Sequence, residues 1–118
     1  MRQIEIHEEC LAFIAKSGSR VELKFEQLLE VLLETKIVHT NFVKKLSNSR
    51  FHELRIKAGN EYRIILFAID HLNFNESEEV ILLNGFLKKS NKDYIKAIRI
   101  ADKLLDEYLN ERTDGEDN

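Results

Sequence analysis

FHELRIKAGNEYRIILFAIDHLNFNESEEVILLNGFLKK, Phe51 to Lys89, decides the fold. Three runs of β-branched, Leu and aromatic residues are separated by two turn-like stretches, which predicts a three-strand antiparallel meander. The first turn, Ala58-Gly59-Asn60, holds the residue types that most readily adopt positive φ, so a tight hairpin joins FHELRIK to EYRIILFAI. Alternate residues of a strand point to opposite faces. Leu54, Ile56 and His52 therefore share one face, and Glu53, Arg55 and Lys57 the other. A three-residue loop sets Lys57 opposite Glu61, Arg55 opposite Arg63 and Glu53 opposite Ile65. Two arginines facing each other cost roughly 0.2 to 1 kcal/mol, a loss that makes sense if an anion is to be placed between them. Glu53 and Glu61 offer the other reading, an ordinary ion-pair cluster that neutralises both.

Working outward, Arg2 to His7 alternates through Ile4 and Ile6 and suits a short edge strand. Glu8 to Lys16 carries Leu11, Ile14 and Ala15 at helical spacing, and Arg20 to Thr35 carries Val21, Phe25, Leu28, Leu29 and Leu32 on one stripe. Gly18 between them suits a helix C-cap. Ile37 to Asn48 reads as a connection with one helical turn. The second meander strand, Tyr62 to Ile69, is apolar on both sides beyond Arg63, as a central strand covered on both faces should be. The third runs from Val80 to about Phe86. Ser90 or Asn91 then caps a long helix with Asp93 at capping-box spacing, and Tyr94, Ile98, Ala101, Leu105 and Tyr108 form its apolar stripe. The expected organisation is one domain over 1–110 and an acidic disordered tail over 111–118.

Composition narrows the function. The 118 residues carry a formal charge of −3, unlike a protein that coats nucleic acid. From Phe42 to Lys103, however, twelve Lys and Arg stand against eight Asp and Glu, while the remainder holds six against thirteen. Positive charge is a local footprint on the sheet and the last helix. No apolar run reaches the ~20 residues of a membrane span, and the N-terminus does not read as a signal peptide, so a cytoplasmic protein without a membrane partner is expected. A single cysteine, Cys10, excludes an internal disulfide and is best read as a small buried hydrophobe. His7, His39 and His71 have no metal-ligand spacing, and no cofactor motif is present. His52 shares parity with Leu54 and Ile56, which favours a packed histidine over a catalytic one.

Glu53-Leu54-Arg55, then Tyr62-Arg63-Ile64, then Leu82-Leu83-Asn84-Gly85-Phe86-Leu87-Lys88-Lys89-Ser90 leading into a helix, occur in an order that resembles the RelE/ParE toxin superfamily, in particular its HigB-like, phage Gp49-like branch. The likeness spans about Phe42 to Leu109. It implies a RelE-like α+β fold: N-terminal helices packed on a curved antiparallel β-sheet, closed by a C-terminal helix. It also implies a toxin of a type II toxin-antitoxin system, a metal-independent endoribonuclease that cuts mRNA on the ribosome. The implied partner is a cognate antitoxin of the small helix-turn-helix DNA-binding kind. By motif, Arg55 and Arg63 would hold the scissile phosphate, with Lys88 beside them and Tyr94 as proton donor or stacking group. Lys45, Lys57, Lys89 and Lys92 would contact RNA. The branch usually continues with a Lys-Thr-Pro turn where this chain has Ser90-Asn91-Lys92-Asp93-Tyr94. Two other readings stay open: a ParE-like gyrase inhibitor that cuts nothing, and an inactive module that only occupies its antitoxin.

Overall fold

The computed structural model describes residues 1–116. Its elements run β1 (Gln3–Ile6), α1 (Glu8–Ser17), α2 (Ser19–Glu34), β2 (Val43–Lys45), β3 (His52–Ala58), β4 (Asn60–Ala68), β5 (Glu79–Leu87) and α3 (Lys92–Glu116). They form one five-stranded sheet in the order β1-β5-β4-β3-β2.

The meander is present with the register expected from its first turn: Lys57 pairs with Glu61, Arg55 with Arg63 and Glu53 with Ile65. Gly59 at the tip has φ 79°, a left-handed conformation that glycine adopts without steric cost. The N-terminal edge strand is also present. It pairs with β5 in parallel, so the sheet is mixed and not purely antiparallel. The reading of Ile37 to Asn48 needs correction. The turn exists, with the N–H of Val43 donating to the His39 carbonyl, but Val43–Lys45 then forms a fifth strand against β3. A three-residue strand with two lysines leaves no periodicity to detect.

Two apolar layers hold the sheet. On one face, Cys10, Ile14, Phe25 and Leu32 of the N-terminal helices bury Leu54, Ile56, Ile64 and Leu82. Burial pushes the Cys10 thiol up to about 12, in keeping with an inert packing residue. On the other face, Ala97, Ala101 and Leu105 of α3 cover Phe51, Ile65, Ile81 and Leu83. The charged face of β3 is thus partly roofed by α3.

The expected tail over 111–118 falls on the last turns of α3 and on Asp117 and Asn118, which lie outside the described residues. Arg112 bridges to Glu79 at 2.8 Å. Among the described residues no helix is long and apolar enough to cross a membrane.

Candidate active site

A β-bulge decides which side chains meet. The pairing of β4 with β5 slips between Ile65 and Leu66, so Ile65 faces Asn84 while Leu66 faces Leu82. Before the bulge, odd-numbered residues of β5 face α3; after it, even-numbered ones do. Asn84 accordingly donates to the Ala97 carbonyl of α3 at 3.1 Å, and Phe86 packs edge-on against Tyr94 with centroids 5.0 Å apart. Lys88 follows with the same parity, and its N–H donates to the Glu61 carbonyl. Its ammonium lies 5.9 Å from the Tyr94 ring centroid. Gly85 takes the opposite side, where any Cβ would meet the Phe13 ring at 2.2 Å.

The first turn of α3 places Tyr94. The Asp93 carboxylate accepts from the N–H groups of Lys89 and Ser90 at 2.7 and 2.9 Å, which caps the helix as its spacing suggested. These bonds hold the carboxyl below its usual range.

At the centre lies Glu53, a residue the sequence reading treated only as a neutraliser. It is 2% exposed. Its Oε1 accepts from Arg55 Nε at 3.0 Å, and its Oε2 accepts from the Tyr94 hydroxyl at 2.6 Å. Arg63 Nε stands 3.5 Å from the same Oε2 and donates to the Tyr94 oxygen at 3.2 Å. Arg63 Nη1 donates to Glu61 at 3.1 Å. Burial pulls the Arg63 guanidinium down, but the bonds to Tyr94 and Glu61 and the charge of Glu53 outweigh it and leave it above its ordinary value. Burial and the bond donated to Glu53 raise the Tyr94 phenol, which keeps it protonated. The bond from Arg63, with Lys57 and Lys88 adding, lowers Glu61.

The expected residues therefore separate into groups. Lys45, Arg55, Lys88 and Tyr94 line one cleft of about 550 Å³, with Glu53 at its floor. Arg63, expected beside Arg55 on the phosphate, is 4% exposed; it bonds to Tyr94 and lines a neighbouring groove, not this cleft. Each arginine is paired with a carboxylate, as the ion-pair reading allowed, and only Arg55, whose side chain is 30% exposed, reaches the cleft. The Lys45 ammonium donates to the Ser49 and Leu46 carbonyls. Lys57 lines a neighbouring groove that Arg55 also borders. Lys89 and Lys92 are exposed and line neither space.

His52 packs beside Phe74 on the opposite face, with centroids 5.9 Å apart, and burial with the charge of Lys45 lowers it to about 4. That places it away from the acid-base work. Among the described residues no group of three His, Cys, Asp or Glu side chains is placed to hold a metal.

The arrangement offers one accessible cation fork, the Lys88 ammonium with Lys44 and Lys45 also lining the cleft, and one phenol in hydrogen-bond contact with a buried carboxylate. Such a set can bind a phosphodiester and move a proton beside it.

A comparison with curated proteins finds no match. Among solved structures, an arginine-to-alanine double mutant of the E. coli toxin RelE in its free state superposes with a TM-score of 0.59 at 19% identity, over 83% of this chain and 95% of that one. The isolated E. coli RelE toxin gives a TM-score of 0.48 at 23% identity, over 84% and 97% of the two chains. The first superposition establishes a RelE-like fold. The sequence profile of the phage-derived protein Gp49-like family matches residues 13–106, and the chain belongs to that family.

Proposed function

We propose that the protein is the toxin of a type II toxin-antitoxin pair and cuts mRNA on the ribosome without a metal ion. The observation that carries this reading is the convergence of Arg55, Lys88 and Tyr94 in one cleft, with Glu53 bonded to the phenol at 2.6 Å.

Metal-free RNA cleavage needs a base for the 2′-hydroxyl, cations around the five-coordinate phosphate and an acid for the leaving 5′-oxygen. Arg55 supplies a planar fork to the phosphate oxygens. The Tyr94 oxygen takes the 2′-hydroxyl proton while passing its own to Glu53, the 2′-oxygen attacks phosphorus, and the bond to the 5′-oxygen breaks. Lys88 protonates that oxygen. The products are a 2′,3′-cyclic phosphate and a 5′-hydroxyl, and water exchange restores Glu53 and Lys88. Arg63 is a positioning residue that holds the phenol oxygen.

Arg55→Ala should lose growth arrest and mRNA cleavage while keeping the fold. Full toxicity of that variant would refute the site. The reading as an inactive antitoxin-binding module draws on the pairing of both arginines with carboxylates. Cleavage of message by the purified protein in a translation reaction would eliminate it.

A further inference from the structure

We propose that the groove between α2 and the uncovered part of β3 is a subsite for one unpaired RNA base, with Phe42 as its stacking surface. The inference deepens the ribonuclease reading and rests on it for the identity of the strand.

The groove exists because β2 is short. Pairing of β2 with β3 begins at Val43 opposite Leu54, so from Ile56 onward β3 is paired with β4 on one side and its other edge is uncovered. One further bond, from the Arg55 N–H to the Phe42 carbonyl at 2.8 Å, sets Phe42 across from Arg55 one step past that pair. The space left is about 760 Å³, with Leu28, Val31 and Ile56 as an apolar floor.

Its walls have the chemistry of a nucleotide. Phe42 is 40% exposed, and it is the only aromatic among the strongly exposed large apolar side chains of the described residues. The side chains of Gln27 and Asn41 line the same groove and supply amide donors and acceptors for a base edge. Lys24, Lys57 and Arg55 line it together with the Arg63–Glu61 ion pair, so the lining holds four cations to one carboxylate. An aromatic platform, amide groups and flanking cations together are what a single-stranded base with its phosphates requires. Arg55 borders both this groove and the cleft with Tyr94, so a strand whose phosphate sits on Arg55 presents a neighbouring base to Phe42. The rim cations favour a phosphate-bearing strand over an apolar peptide.

The test is an NMR titration of the full chain with nucleoside 5′-monophosphates, and with ribose 5-phosphate as the control. The Phe42 ring and the Gln27 and Asn41 side-chain amides should shift with the nucleotides, while ribose 5-phosphate leaves the ring unmoved. Phe42→Ala should weaken nucleotide binding at least about fivefold, the lower end of what a lost stacking contact costs, and Phe42→Tyr should restore it. Equal affinity for wild type and Phe42→Ala would overturn the proposal. So would shifts confined to Arg55 and Lys88, or a Phe42 ring that answers an acidic apolar peptide but no nucleotide. Nucleotide binding at Phe42 in a protein that never cuts message would leave the subsite standing and refute the ribonuclease reading instead.

Discussion

The Tyr94 hydroxyl donates to Glu53 across 2.6 Å, joining the first turn of the last helix to the start of β3. This bond links stability to chemistry, because the carboxylate that accepts it also holds both arginines of the sheet.

Removing that carboxylate leaves the buried Arg63 guanidinium with Glu61 as its remaining counter-charge and frees Arg55 of its own. Glu53→Ala should cost about 3 to 5 kcal/mol, the usual penalty for breaking a buried ion pair. Glu53→Gln keeps an acceptor for Tyr94 and should cost less. Urea unfolding of the two variants checks the order.

Arg2 is the second buried cation, and its work is structural. Its guanidinium donates to the carbonyls of Ser77, Leu32, Thr35 and Lys36 and lies 4.4 Å from the Phe74 ring centroid. It thereby satisfies the open C-terminal end of α2. Arg2→Ala should destabilise by about 2 to 4 kcal/mol, since several carbonyls lose charged donors at once. Thermal unfolding reads it.

Gly85 sits against the Phe13 ring, where an added Cβ would fall 2.2 Å away. Gly85→Ala should cost about 1 to 3 kcal/mol through overpacking. Phe13→Leu in the same chain should recover part of that loss, which denaturation of the double variant would reveal.

His52 makes folding pH-dependent. The unfolded chain binds a proton near pH 6.5, whereas the folded one does so only near about 4, because burial and Lys45 disfavour the charged form. Stability contributed by the neutral ring is complete above pH 6.5 and is lost as pH falls toward 4. The loss should reach about 3 kcal/mol at ~1.4 kcal/mol per unit. His52→Leu should flatten that part of the stability profile.

Much of this fold is written locally. The hairpin register, and with it the facing pair Arg55 and Arg63, followed from counting residues around Gly59. Parity also put Glu53 beside Arg55. What parity cannot give is depth: Glu53 and Arg63 are buried because α3 lies over them, a contact made by residues 31 to 41 positions away. The bulge in β5 was equally hidden, since nothing in Leu83-Asn84 marks the extra residue. Yet it turns Lys88 toward Tyr94. The strand Val43–Lys45 escaped notice because it is too short and too polar to show a period, and the groove beside Phe42 is a consequence of its early end.

Primer extension on a message in a reconstituted translation reaction, comparing the wild type with Tyr94→Phe after circular dichroism has shown both folded, decides whether this cleft cuts RNA. The wild type should cut the message and leave a 2′,3′-cyclic phosphate, and Tyr94→Phe should cut at least about a hundredfold more slowly, as expected for a lost proton-transfer group. An intact message with the wild type, or equal rates for the two proteins, would contradict the proposed cleavage.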